Sequence, residues 1–166
     1  MKISPVDLPI VTRDGKFIAR YSGQGLAELN FPLAGRAAAR AAKQNEVPAQ
    51  IRAWHRATAG ALKKILAGEK PEHFPPLDLA GTEFQKSVWR ALRKISPGKT
   101  KSYGEIARAI GKPKAVRAVG GACGANPVPV LIPCHRVLAA NRKLGGFSGG
   151  LDWKRLLLAR EGIHAA

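Results

Sequence analysis

A thiol, an imidazole and a guanidinium follow one another in Cys134-His135-Arg136, inside the run Ile132-Pro133-Cys134-His135-Arg136-Val137. The thiolate is the nucleophilic form of cysteine, and nearby positive charge lowers a thiol's pKa, so the sequence predicts a reactive Cys134. Adjacent side chains diverge in helices and strands alike, so His135 serves as the base for its neighbour only if the chain bends or a water relays the proton. Pro133 favours irregular backbone: it fixes its own φ and drives Ile132 towards an extended conformation. The competing reading is structural, because cysteine is among the most buried residue types.

Several elements must position this run. Phe17-Ile18-Ala19-Arg20-Tyr21 and Leu26-Ala27-Glu28-Leu29 flank the turn-rich Ser22-Gly23-Gln24-Gly25 and read as a hairpin. Helical patterns follow over the alanine-rich 35–43 and over 48–67, where Ile51, Trp54, Thr58, Leu62 and Ile65 recur at three- and four-residue intervals before Gly68. Pro71, Pro75 and Pro76 mark a linker, with a domain boundary expected near Gly81. Thr82-Glu83-Phe84-Gln85 and Ser102-Tyr103-Gly104-Glu105 have the form of capping boxes. The first opens a helix with Phe84, Val88, Leu92 and Ile95 on one face, and the second opens a short helix ending at Gly111. A third helix after Lys112-Pro113 gives helix-turn-helix spacing. On it Val116, Val119, Gly120 and Cys123 are expected to face inward, with Cys123 in the core. Arg117 stands on the other side among Ala118, Gly121, Gly124 and Ala125, a surface of tiny side chains that can approach another backbone closely.

Composition bounds the partners. Among 166 residues, 28 Lys and Arg stand against 11 Asp and Glu, a formal net charge of +17 that points to a polyanion, either nucleic acid or an anionic membrane surface. With 45% hydrophobic residues the chain has ample material for a packed core and is not a disordered protein. No segment approaches the roughly 20 apolar residues of a spanning helix. Pro5 and Asp7 interrupt the start before a signal-peptide core could form, so a cytoplasmic protein is expected. Two cysteines, Cys123 and Cys134, make neither a disulfide framework nor a CxxC metal site.

Arg117-Ala118-Val119-Gly120-Gly121-Ala122, Asn126-Pro127-Val128-Pro129-Val130, Pro133-Cys134-His135-Arg136-Val137 and Phe147-Ser148-Gly149-Gly150 together resemble the O6-alkylguanine-DNA alkyltransferases. The resemblance covers Thr82 to Gly162; before that it rests mainly on a hairpin followed by helices. It implies an α/β fold in two parts. One is an N-terminal ribonuclease-H-like α/β domain with a small antiparallel sheet over 1–80, ending in the proline-rich linker. The other is a C-terminal, mainly α, winged helix-turn-helix domain over 81–166.

The implied reaction is direct repair: the Cys134 thiolate displaces guanine from an alkyl group on O6, leaving a thioether that has no easy hydrolytic exit. The resemblance makes Cys134 the acceptor, His135 its base through a water and Glu161 the carboxylate orienting the imidazole. Tyr103 would hydrogen-bond the flipped base, and Asn126 would tie the third helix to the active-site segment. Arg117, Ala118, Gly121, Tyr103 and Ser148 would meet DNA, with Arg117 filling the gap left by the extruded nucleotide. Tyr103, Val137, Ser148 and Pro129 would line the base pocket. Gly124 and Phe147 depart from relatives that carry arginine and tyrosine there, removing a phosphate contact and a hydroxyl. Glu161 also stands out by itself: in the last turn of a helix over 151–160 a carboxylate is disfavoured by the dipole by roughly 0.3–1 kcal/mol, unless a partner holds it. Double-stranded DNA containing O6-alkylguanine is the expected partner, a membrane is not, the protein is expected to act as a monomer, and cooperative coating of DNA stays open. No cofactor is expected. Some relatives carry zinc in the first half, but no cysteine precedes Cys123 here, so no metal is expected either. A helix-turn-helix regulator with an inert cysteine and a cysteine hydrolase are the rival readings; a damage sensor that lacks the cysteine is disfavoured by Cys134 itself.

Overall fold

In the computed structural model, residues 3–32 and 42–165 are described; the alanine-rich helix expected over 35–43 falls largely outside them. Three antiparallel strands, β1 (Val6–Thr12), β2 (Gly15–Tyr21) and β3 (Leu26–Asn30), form a sheet in that order. The hairpin read from the sequence is β2–β3, closed by Ser22 N donating to Gly25 O at 2.9 Å. The sequence reading missed β1, and Pro9 explains why: a proline demotes a strand signal, and β1 is an edge strand. Its alternation still holds, with Leu8 and Ile10 buried.

Helix α1 (Ala49–Leu66) follows, burying Ile51, Thr58, Leu62 and Ile65 on one face as their spacing requires. The proline-rich stretch after it is no free tether. Leu26 N donates to Pro76 O at 2.8 Å and Asp78 N to Leu26 O at 2.9 Å, so 76–78 docks along the edge of β3. Gly25 allows this close approach, since a Cβ there would lie 2.5 Å from Pro76 O.

The second half is built on α2 (Glu83–Leu92), α3 (Tyr103–Ala109) and α4 (Val116–Gly124), which pack on one another. Both capping boxes are formed: Thr82 and Gln85 bond reciprocally at 3.1 and 3.0 Å, and Ser102 and Glu105 at 3.0 and 2.7 Å. Trp89 is buried, and its indole N–H donates to Ala122 O at 2.8 Å, pinning α2 to α4 with no polar atom left unpaired. Two-residue strands β4 (Lys101–Ser102) and β5 (Val137–Leu138) pair in parallel and hold the motif segment against the start of α3. Helix α5 (Leu151–Arg160) closes the chain. Buried Leu8, Phe17 and Ile65 belong to the same apolar cluster as Trp89, Ile132 and Leu157, so one continuous core supports both halves. Among the described residues no helix is long and apolar enough to cross a membrane.

Candidate active site

Presentation of Cys134 begins at Asn126, whose side chain is buried. Its Nδ2 donates to Ile132 O at 2.9 Å and its Oδ1 accepts from Val128 N at 3.0 Å, folding 126–132 into a compact loop at the end of α4. Val130 inside that loop adopts φ 74°, a left-handed conformation that a β-branched residue avoids, at a cost of about 1–3 kcal/mol. Complete burial of Val130 and its neighbours holds the strain in place. Pro133, at φ −81° and ψ 62°, is the centre of an inverse γ-turn in which Cys134 N donates to Ile132 O at 2.8 Å. A single 3-10 turn, Cys134–Arg136, follows, so the chain does bend at the motif, parting the Cys134 side chain from those of His135 and Arg136, which both reach Glu161.

The directions decide the chemistry. Arg136 turns away from the thiol: it donates from Nε and Nη2 to the Glu161 carboxylate, the shortest contact being 2.6 Å, and from Nη1 to Ile95 O at 2.6 Å. His135 Nε2 lies 3.1 Å from Glu161 Oε1, with the imidazole fully buried and the carboxylate side chain 1% exposed. The partner anticipated for a carboxylate at the end of α5 is therefore present twice. Burial by itself would raise the Glu161 carboxyl, but the hydrogen bonds from His135 and Arg136, together with the Arg136 charge, hold it down at about 2. It is thus ionised and can only accept, which requires the His135 proton to sit on Nε2. Burial also pushes the His135 pKa below its ordinary value, against the pull of Glu161. A neutral imidazole protonated at Nε2 has its lone pair on Nδ1, and Nδ1 is buried with no hydrogen-bond partner among the described residues. That atom is the free base of the site.

Cys134 borders a cavity of about 420 Å³ whose other walls include Tyr103, Cys123, Gly146, Phe147 and Ser148, within the size range of small-molecule sites. Burial pushes the Cys134 thiol up to about 11, while the polar Asn126 side chain and the charge of Lys154 pull the other way. The lowered thiol pKa expected from the neighbouring cations is therefore corrected: Arg136 is committed to Glu161, and desolvation outweighs what remains. Tyr103 is pushed to about 12, by burial first and then by the two cysteines, so it stays a phenol and a donor. A measurable consequence follows for the free protein. Iodoacetamide labelling of Cys134 should rise roughly tenfold per pH unit from pH 7 to 9, as the thiolate fraction does. Intact mass against a Cys134→Ser control reads it; a plateau already reached at pH 7 would contradict the buried neutral thiol.

The expected site residues separate into three groups. Tyr103, Cys134 and Ser148 share the cavity, with Asn126, His135 and Glu161 supporting it from behind. Arg117, Ala118 and Gly121 lie exposed on the outer face of α4, with Gly124 and Ala125 beside them, as the helical spacing required. Val137 and Pro129 do not line the thiol cavity. Val137 is buried in β5, where pairing with Lys101 points its side chain into the core, and Pro129 faces a neighbouring groove with Pro127 and Ser148. Two inward assignments on α4 also change: Val116, in the first turn, is exposed, and Gly120 is half-buried at the edge of the cavity, while Ala122 is buried with Val119 and Cys123. Cys123 is buried but borders the cavity too, which the core reading did not foresee.

The sequence reading gave Arg136 to the thiol and not to Glu161, and it missed Lys154 altogether. Lys154 is fully buried; its ammonium donates to Val137 O at 2.7 Å and Gly146 O at 3.1 Å, and it lies 6.0 Å from the centre of the Tyr103 ring. It ties the glycine-rich loop to the motif strand; burial pushes its pKa below the ordinary lysine value, against the pull of Cys134 and Cys123. Its signal was available: Lys154, Leu157 and Leu158 occupy one stripe of α5, where a lysine amid leucines is out of place.

Three helices packed on one another, one with a small-residue face, stand beside a cavity walled by a cysteine and backed by a buried His–Glu–Arg network, an arrangement suited to presenting a thiol to a base of DNA. Comparison with known proteins points the same way. The family described as 6-O-methylguanine DNA methyltransferase, DNA binding domain, matches residues 83–163. A methylated-DNA–protein-cysteine methyltransferase of Methanosarcina acetivorans is 44% identical over 151 residues, covering 89% of this chain and 92% of the relative. One from Mycolicibacterium paratuberculosis is 54% identical over 113 residues, 66% of this chain and 68% of that protein. The crystal structure of Mycobacterium tuberculosis OGT in complex with DNA superposes with a TM-score of 0.72 at 36% identity, covering 96% of this chain and 92% of that one. This chain belongs to the methylated-DNA–protein-cysteine methyltransferase family.

Proposed function

We propose that this protein repairs O6-alkylguanine in DNA by moving the alkyl group to Cys134, in a reaction that consumes the protein. The observation that carries the proposal is the placement of the Cys134 thiol in a cavity wall, next in the chain to a His135 whose Nδ1 is buried without a partner among the described residues and whose tautomer Glu161 fixes. Atom O6 of guanine lies at a base-pair edge, so the base must leave the stack to reach a buried thiol, at roughly a few kcal/mol. Helix α4 would lie against the duplex, where Ala118 and Gly121 permit close approach and Arg117 supports the orphaned partner base. The positive excess favours that docking: after residue 80 the acids are Glu83, Glu105, Asp152 and Glu161 alone, and Glu161 is buried.

In the cavity, Tyr103 would donate to a ring nitrogen and the Ser148 backbone would face O6. The thiol proton passes to His135 Nδ1, directly or across a water, and the resulting imidazolium is stabilised by Glu161. Sulfur attacks the alkyl carbon as the carbon–O6 bond breaks, and the departing guanine anion takes a proton from its donor. The same reading treats 1–80 as a supporting unit and 81–166 as the unit of chemistry and DNA binding. It takes the chain as a cytoplasmic monomer that uses neither cofactor, metal nor membrane.

Stoichiometry tests the proposal. Given an excess of duplex oligonucleotide carrying O6-methylguanine, repair should stop when one methyl group has been consumed per protein molecule, because a thioether resists hydrolysis. Peptide mass analysis should place a single added methylene unit on Cys134 and none on Cys123. Many turnovers per molecule, or release of methanol, would instead indicate a hydrolase, and an untouched Cys134 would leave a DNA-binding regulator.

A further inference from the structure

Glu161 is only as well placed as the end of α5 that carries it, and that end is gripped by the other half of the chain. The Arg160 guanidinium donates to both carboxylate oxygens of Asp14, each at 2.7 Å, and to Leu66 O at 2.9 Å. Asp14 lies in the turn between β1 and β2, which is fixed in its own right. Thr12 Oγ1 donates to Gly15 O at 2.8 Å and accepts from Asp14 N at 3.1 Å. Leu66 is the last residue of α1, where unpaired carbonyls and the helix dipole favour a cation. The main chain is held as well. Gly68, at φ +77°, lies so close that a Cβ on it would stand 2.1 Å from Arg160 O. Arg160 is thus fixed by side chain and backbone together, one residue before the carboxylate that must reach His135 Nε2 at 3.1 Å.

We propose that Asp14 and Arg160 are positioning residues for alkyl transfer: the β1–β2 turn holds the end of α5 in the register that lets Glu161 set the His135 tautomer. The proposal rests on the reading of Cys134 and His135 given above. Neither residue borders the cavity, so their effect must travel through Glu161. The pair is bidentate and largely shielded, with side chains 12% and 18% exposed, which gives it the directional rigidity that a loose surface ion pair lacks.

The test compares Asp14→Asn, Asp14→Glu and Arg160→Lys in the full chain. Alkylation of Cys134 by free O6-benzylguanine is followed against pH, alongside affinity for undamaged duplex, melting temperature and the 15N NMR signals of the His135 ring. Asp14→Asn should slow alkylation by roughly 10- to 100-fold, the effect of a small misplacement at a reacting pair. It should also shift the pH dependence of the rate and move the His135 Nε2 signal, with duplex affinity unchanged. Asp14→Glu, which keeps the charge, should recover most of the rate. A lower melting temperature with normal rate, pH profile and His135 signals would reduce the pair to a structural ion pair and overturn the proposal. Should Asp14→Asn fail to fold, Arg160→Lys carries the same test: it keeps the cation and loses the bidentate fork, and a normal rate and spectrum there overturn the proposal equally. If the unmodified protein left Cys134 unalkylated, the functional reading would fall. The His135 spectrum, which requires no transfer, would still decide the positioning role.

Discussion

Replacing Arg136 by methionine is expected to destabilise the protein by roughly 3–5 kcal/mol, because it strands a buried carboxylate. Glu161 is held by one cation and one neutral imidazole, and only the cation can balance its charge. For a chain of this size the loss corresponds to a fall in melting temperature of roughly 10 °C. The pH dependence should change sign as well. In the unmodified protein the Glu161 pKa is depressed, so its stabilisation is present above the ordinary carboxylate value of 4.5 and is lost as pH falls towards about 2. Without Arg136, burial becomes the controlling influence and raises the folded-state pKa, so stability at this site is lost as pH rises through it. His135 adds to the acid sensitivity of the unmodified protein: its pKa is depressed from 6.5, so its contribution is present above that value and lost on acidification. Urea unfolding from pH 2 to pH 8 reads these slopes. The double variant Arg136→Met with Glu161→Gln should recover much of the loss, since the unpaired charge is the damage. A deficit that the second substitution leaves untouched would show that packing of the arginine stem, and not charge, was at stake.

What the sequence showed and what it hid divides along physical lines. Local chemistry was legible: two capping boxes, the Ser22–Gly25 turn and the small-residue face of α4 are set by residues within a few positions of each other. So was the oddity of Glu161, because a carboxylate at a helix end calls for a partner. Its partner's identity was not legible. Arg136 stands two residues from Cys134 in the sequence, which suggested an effect on the thiol. A single 3-10 turn aims it instead at a residue 25 positions away. The thiol's high pKa was hidden for the same reason: burial is a property of the whole fold, and here it outweighs the charges that sequence proximity brought to mind. Val116 is the smaller version of that lesson. Helical periodicity put it inward, but the first turn of α4 is exposed and Ala122 takes the buried place.

Arg117→Ala should separate base extrusion from alkyl chemistry. Arg117 is exposed on α4 and does not border the cavity, so reaction of Cys134 with free O6-benzylguanine should change by no more than roughly twofold, the usual effect of a surface substitution. Duplex repair differs, because the extruded base leaves an unstacked partner, and the side chains left on that face of α4 are alanine and glycine. If Arg117 offsets a few kcal/mol of extrusion, its loss should slow single-turnover repair of O6-methylguanine in duplex by roughly 10- to 100-fold. Part of any deficit could come from a lost phosphate contact, and salt distinguishes the two. A phosphate contact changes the slope of log K against log salt for undamaged duplex by about 0.9, whereas a wedge acting after docking leaves that slope alone. The expected pattern is therefore a slow duplex reaction, a normal free-base reaction and an unchanged salt slope. Equal slowing with both substrates would place the effect of Arg117 in the fold or the cavity, and a reduced salt slope accounting for the whole deficit would make it an ordinary phosphate anchor.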